Sequence, residues 1–232
     1  MQAGPLTSTP ADPSRTNAPT APRANTHLEV WLIRHGETAW SRTGQHTGRT
    51  DIPLTEHGQE QARALVPILA SQRFDQVLSS PLVRAVETCR LAGLGDQLVL
   101  EPDAQEWDYG VYEGRTTPDI RAEQPDWSIW EDAMPKGENL AAIQDRALGL
   151  MHRLLALQKD TKEDTQSTDE QPLRIALFSH GHFLRVFGGC WISDSALPGA
   201  HLLLDTASVS VLGFDRGTRA IKHWNRPARL VA

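Results

Sequence analysis

An α/β fold, with a mostly parallel sheet and helices on both of its faces, is predicted by three features of this chain. Short β-rich runs alternate with segments of helical periodicity from residue 28 onward. The run at 173–179, Leu-Arg-Ile-Ala-Leu-Phe-Ser, is almost wholly apolar, as a strand covered on both faces must be. The 232 residues contain 39% hydrophobic side chains and 17 glycines, a globular composition with enough chain for one substantial core.

The elements follow in order. Residues 28–33 form the first strand. Thr55 caps a helix whose apolar face is Ala62, Leu65, Val66 and Leu69, spaced i, i+3, i+4 and i+7. A second strand is expected at 76–79. Ser80 then caps, and Pro81 opens, a helix that stops near Gly93. A short strand at 97–100, a long helix at 139–157, the apolar strand at 173–179 and a helix at 183–192 come next. Three further strands are expected at 201–205, 208–214 and 220–224. Strands and helices alternating in this way give a parallel sheet sandwiched by helices.

Residues 1–26 differ in kind, being mostly Pro, Thr, Ala, Ser and Asn, with Leu6 the one aliphatic side chain larger than Ala. Such a segment buries too little apolar surface to offset its ordering entropy. A disordered tail is expected there, with one domain at 27–232. The tail lacks the apolar core of a secretory signal peptide, and its five prolines oppose the amphipathic helix of a transit peptide. A polar stretch at 158–171 is expected to be a solvated loop.

Charge and composition exclude several functions. The net charge of −6 argues against a nucleic-acid partner, which requires a basic face. No apolar run approaches the roughly 18 residues of a membrane span, so no membrane partner is expected. Cys89 and Cys190 are too few for a disulfide framework and too far apart for a zinc knuckle. A cytoplasmic location fits these features.

Ligands of open α/β sheets bind beyond the carboxyl ends of the strands. Arg34, His35 and Gly36 follow the first strand; His180, Gly181 and His182 follow the strand at 173–179. Arg84 lies one turn into the helix after the second strand and leans back toward that helix's N-terminus. Two forked guanidiniums and the helix N-termini after Ser80 and His180 describe a phosphate site. A neutral His35 beside them is a nucleophile needing no further activation. Taken singly, an Arg-His-Gly triplet or a strand-end histidine is usually structural; convergence of three elements on one rim favours the site. Zinc on His35, His180, His182 and an acid is the competing assignment. Two arginines would repel a dication, and the spacing matches no zinc signature, so neither metal nor other cofactor is expected.

The segment Leu32-Ile33-Arg34-His35-Gly36-Glu37-Thr38 resembles the signature of the histidine phosphatase superfamily, the phosphoglycerate mutase-like proteins. The likeness continues through Trp40-Ser41, Thr47-Gly48, Asp51 to Thr55 with Gly58, and Ser79-Ser80-Pro81 with Arg84 and Thr88. It goes on in Glu106, Tyr109-Gly110, Glu113-Gly114, Gly137-Glu138 and His180-Gly181, all in the family's order. Within the superfamily the chain is most similar to the sedoheptulose 1,7-bisphosphatase type and related bacterial phosphatases, through Gly44-Gln45, Trp107, Trp127, Trp130, His182 and Leu184-Arg185.

This resemblance implies a phosphohistidine mechanism without a metal. His35 would attack phosphorus, with Arg34, Arg84 and a protonated His180 holding the phosphoryl oxygens, helped by Ser41 and Gly181. Glu106 would protonate the leaving alkoxide and then deprotonate the attacking water. Thr47, Gly48, Tyr109 and His182 would contact the substrate, a small phosphorylated metabolite such as a sugar phosphate or bisphosphate. Trp127 and Trp130 would be either a lid or core.

Phosphoglycerate mutases of the superfamily carry a lysine where this chain has Thr117, and adjacent arginines where 121–134 has Asp126, Glu131 and Asp132 with no arginine pair. Hydrolysis is therefore expected, with the mutase as the alternative. A silent phospho-ligand-binding module is the alternative of another class. His46 and Arg49 depart from the family pattern and leave the natural substrate open.

Overall fold

In a computed structural model, which describes residues 27–160 and 171–228, the strands form one six-stranded sheet in the order β3-β2-β4-β1-β5-β6. The strands are β1 (Leu28–Arg34), β2 (Gln76–Ser79), β3 (Leu98–Leu100), β4 (Leu173–Ser179), β5 (Ser208–Asp215) and β6 (Thr218–Pro227). Neighbours from β3 to β1 pair in parallel, while β5 runs antiparallel to β1 and forms a hairpin with β6. The fold is thus α/β with a mostly parallel sheet, as expected. The expected tail at 1–26 and most of the expected loop at 158–171 lie outside the described residues.

Alternation along the central strands divides the core in two. Leu28, Val30 and Leu32 of β1, with Ile175 and Leu177 of β4, face α6 (Leu140–Asp160) and α7 (Gly181–Ser193). Ile33, Ala176 and Phe178 face the other side, against Leu65, Leu69 and Cys89. That second layer is built from α2 (Glu56–Arg63), α3 (Val66–Leu69) and α4 (Val83–Leu91). Two short helices, α1 (Ala39–Thr43) and α5 (Thr117–Arg121), sit in the loops above the sheet. Both cysteines are buried, and burial raises each thiol to about 12, so they are core residues.

Several expected elements change form. Thr55 does cap α2, its hydroxyl accepting from the Gly58 N–H at 3.0 Å. The helix ends at Arg63, however, because Pro67 has no N–H for the Arg63 carbonyl; α3 restarts the chain and leaves Val66 38% exposed rather than on the apolar face. Ser80 is not a helix cap: α4 starts at Val83, whose N–H goes to Asp51 Oδ1 at 2.8 Å. The strand expected at 201–205 is the end of a 3-10 turn (Leu197–His201) followed by irregular chain. The long helix runs to Asp160, past the expected loop start at 158, and Asn139 caps it by accepting from the Ala142 N–H at 2.8 Å.

The turn after β1 is pressed against the start of α2. A Cβ on Gly36 would lie 2.3 Å from the Gly58 carbonyl oxygen, and one on Gly58 would lie 2.1 Å from the Glu37 carbonyl oxygen. Backbone cannot yield there as a flexible side chain can. Gly58→Ala is therefore expected to lower unfolding free energy by about 1–3 kcal/mol. A denaturant titration checks this, and an unchanged midpoint would contradict the close packing.

Candidate active site

The three strand ends do converge. β4 lies between β1 and β2, so the residues following these strands share one rim of the sheet. His35 and His180 come from neighbouring strand ends, with ring centroids 5.2 Å apart. Arg84 enters from α4 and is fully buried.

Hydrogen-bond partners fix the protonation of both rings. His35 Nδ1 lies 2.7 Å from the Gly36 carbonyl oxygen, which can only accept, so Nδ1 carries the hydrogen and Nε2 keeps its lone pair. At His180, Nδ1 accepts from Arg84 Nε at 3.1 Å. Its hydrogen must sit on Nε2, which donates to Ser80 Oγ at 2.7 Å. Burial, with the nearby Arg84 and Arg34 charges, holds His35 well below the usual histidine range. Burial, Arg84, His35 and Arg34 do the same to His180. His180 is thus neutral, a correction to the protonated imidazole expected from the sequence.

Arg84 commits four of its five N–H donors to the protein, the one to His180 among them. Its NH1 donates to the Thr50 carbonyl at 3.1 Å, and its NH2 to the carbonyls of Thr47 at 3.1 Å and Gly48 at 2.8 Å. Glu113 holds the same loop from the other side, accepting the N–H groups of Arg49 and Thr50. Thr88, one turn beyond Arg84, accepts the Gly36 N–H at 3.0 Å and ties α4 to the turn bearing His35.

Arg34 donates through NH1 to the Leu204 carbonyl, and its buried Nε has no partner among the described residues. The guanidinium lies against Gly181, where a Cβ would come within 3.3 Å of Cζ. Burial lowers the pKa of both arginines, and the Glu106 carboxylate opposes that in each case.

Glu106 is 4% exposed and accepts three backbone N–H groups. Trp107 and Phe183 donate to Oε1 at 2.8 Å each, and His182 donates to Oε2 at 3.0 Å. The N–H groups of His182 and Phe183 in α7 thus face this carboxylate, and that of Val83 in α4 faces Asp51. The α4 N-terminus is therefore turned to a carboxylate, contrary to the sequence expectation, whereas Gly181 at the first position of α7 lines the cavity.

A cavity of about 240 Å3 opens over these groups, lined in part by Arg34, Ser41, Thr47, Glu106, Tyr109, Gly181 and His182. Gly48, expected to contact the substrate, is not among the lining residues; its carbonyl accepts from Arg84. His35, Arg84 and His180 are buried and are not among the lining residues; His35 adjoins the cavity through its neighbour Arg34, and His180 through Gly181. Ser41 Oγ also closes the capping box of α1 with Thr38. Tyr109 Oη is 2.6 Å from His182 Nδ1. Burial pushes the Tyr109 phenol well up and His182 well down, so both are uncharged. Trp127 is buried against His46 and Tyr112, as core, while Trp130 is half-buried between Trp107 and Arg185.

His46, Gln45, Thr117 and Arg185, which the sequence singled out without assigning them to the site, also line the cavity. The sequence did not reveal other contributors. Ser80 orients His180, and Arg146 pins the segment before Glu106 by donating to the carbonyls of Asp103, Gln105 and Glu106 while paired with Glu138. Such contacts bridge distant chain segments, so no spacing signals them. Among the described residues, no His, Cys, Asp and Glu side chains gather into a metal-holding group, and no helix is long and apolar enough to cross a membrane.

The chain matches the profile of the histidine phosphatase superfamily (branch 1) over residues 30–227. An acid phosphatase of Mycobacterium tuberculosis is 39% identical over 192 residues, covering 82% of this chain and 88% of that protein. A sedoheptulose 1,7-bisphosphatase of Saccharomyces cerevisiae is 33% identical over 184 residues, covering 69% and 66%. A probable phosphoglycerate mutase of Cronobacter sakazakii is 27% identical over 209 residues, covering 85% and 90%. The solved structure of an open reading frame product from Mycobacterium tuberculosis superimposes with a TM-score of 0.78 at 34% identity, covering 87% of this chain and 99% of that one.

Burial of neutral histidines makes stability pH-dependent. The unfolded chain takes up protons near the ordinary value of 6.5, whereas folded His46 does so only at about 4. Between these values the unfolded state binds more protons, so unfolding free energy falls as the pH falls, by at most about 1.4 kcal/mol per pH unit for each such group. Denaturant titrations should show this loss on acidification, with a shallower slope in His46→Gln. Equal slopes would contradict the neutral, buried state of His46.

Proposed function

The chain belongs to the histidine phosphatase superfamily, branch 1, and on that premise we propose that it is a metal-independent phosphatase working through a phosphohistidine on His35. Its relatives include phosphatases, hydrolases of phosphate monoesters, and this chain is such an enzyme. The substrates we assign to it are small phosphate monoesters, those of sugars among them. One observation carries the mechanism: the Gly36 carbonyl occupies Nδ1 of a neutral His35 and leaves Nε2 as a free nucleophile beside two guanidiniums.

In the first step His35 Nε2 bonds to phosphorus as the P–O ester bond breaks. Arg34 and Arg84 balance the charge on the equatorial oxygens, aided by Ser41, Gly181 and the His180 ring. Glu106, as the carboxylic acid, gives its proton to the departing alkoxide. In the second step water bonds to phosphorus, its proton passes to Glu106, and the N–P bond breaks to restore neutral His35. Arg146 and the α7 N–H groups act here by position, keeping the Glu106 carboxyl in one orientation.

Mutase activity is the second possibility, since a probable mutase is among the relatives. Against it, Thr117 lines the cavity where those enzymes carry a lysine, and its hydroxyl sits 3.3 Å from His46 Nε2. Among the described residues, no lysine lines the cavity.

His35→Ala should abolish phosphate release while leaving the circular dichroism spectrum unchanged; a folded, active variant would overturn the mechanism. Glu106→Gln should slow sugar phosphates far more than activated aryl phosphates, because only the poor leaving group needs the acid. Equal losses on both would remove Glu106 from that role.

A further inference from the structure

The cavity has a definite charge inventory. Among the described residues, the lining side chains that bear a guanidinium or a carboxyl are Arg34, Arg185 and Glu106, and Arg84 is buried nearby, bonded to the carbonyl of Thr47, itself a lining residue. With Glu106 in the acid form that the first step uses, the guanidiniums of Arg34 and Arg84 match the two charges of a single phosphate monoester dianion.

The remaining cations nearby are committed elsewhere. Arg49 lies 3.7 Å from Glu138, and Arg146 pairs with the same carboxylate at 2.8 Å. Arg185 itself spends Nε and NH2 on the carbonyls of Gly199 and Ala200, at 3.0 Å each, and stacks on Trp130.

What else faces the cavity is neutral: beside two glycines, Gln45 and Leu204, it is the hydroxyls of Ser41, Thr47, Thr117 and Tyr109, with the imidazoles of His46 and His182. Burial alone lowers His46 to about 4, so it adds no charge at neutral pH. Burial, then the Arg185 charge, lowers His182 as well. Hydroxyl and neutral imidazole groups both donate and accept, which suits alcohol hydroxyls. They offer nothing to neutralise a second anion, whose desolvation in so small a site would go uncompensated.

We propose that the site selects monophosphates of uncharged, hydroxyl-bearing alcohols, namely small polyols and sugars, and discriminates against substrates carrying a second phosphate or a carboxylate. This rests on the phosphatase assignment and narrows it, setting the chain apart from the bisphosphatase among its relatives. Thr117 and His46 are the specificity-determining pair, because they present a neutral surface to the leaving group.

Matched substrates test the proposal: glycerol 3-phosphate against 3-phosphoglycerate, and fructose 6-phosphate against fructose 1,6-bisphosphate, with p-nitrophenyl phosphate as the chemical control. In each pair kcat/KM should favour the singly charged-group member by at least about 10-fold. Thr117→Lys should shrink the first ratio by improving turnover of 3-phosphoglycerate. If p-nitrophenyl phosphate is hydrolysed but the doubly anionic members are used equally well or better, the inference falls and the phosphatase assignment stands. If p-nitrophenyl phosphate is not hydrolysed either, the phosphatase assignment itself falls. An unchanged ratio in a folded, active Thr117→Lys variant removes Thr117 from the specificity role.

Discussion

A guanidinium with no exposure to solvent must find an acceptor for each face it presents, and Arg84 finds its acceptors in the parts that make up the site. Three loop carbonyls, those of Thr47, Gly48 and Thr50, and the Nδ1 of His180 converge on it. Leaving even one such buried group unsatisfied costs about 1–3 kcal/mol, more where the group is charged. The loop is therefore folded down over the sheet edge, with Glu113 holding its N–H groups from above. The same contact dictates which nitrogen of His180 carries hydrogen, and hence why Ser80 faces that ring rather than capping a helix.

The two central histidines consequently have opposite tautomers, set by neighbours that can only accept or only donate. The Gly36 carbonyl makes His35 a donor at Nδ1, and Arg84 makes His180 an acceptor at Nδ1. A bare Nε2 on His35 is what in-line attack requires, and it exists without proton transfer to a neighbouring base. The carboxylate of Glu106 is arranged with equal definition, across the first turn of α7. Positive charge at the site thus comes chiefly from guanidiniums, because carboxylates take the N–H groups of His182, Phe183 and Val83.

Much of this was legible before any coordinates. The apolar run at 173–179, the strand at 76–79 and the delivery of Arg34, His35, Arg84 and His180 to one rim follow from periodicity and topology, which depend on local pattern. Failures occurred where a distant partner overrode a local preference. Ser80-Pro81 reads as a helix start, but Asp51 takes the N–H of Val83 and frees Ser80 for His180. His180 looks like a cation near a phosphate until its burial against Arg84 is seen. Arg146 and Glu138, which together anchor the segment carrying Glu106, sit eight residues apart without any spacing signal. The strand expected at 201–205 has suitable side chains, but its segment pairs with no strand: the Leu204 carbonyl accepts from Arg34 instead, and Leu203 is 72% exposed.

The central claim is that neutral His35 accepts the phosphoryl group at Nε2. Rapid-quench mixing with a 32P-labelled substrate, followed by base-stable digestion and peptide mapping, tests it most directly. The account predicts transient, acid-labile and base-stable label on the peptide containing His35, absent in His35→Ala. Phosphate release by wild-type protein with no label on that peptide at any time, or with label on another residue, would contradict it.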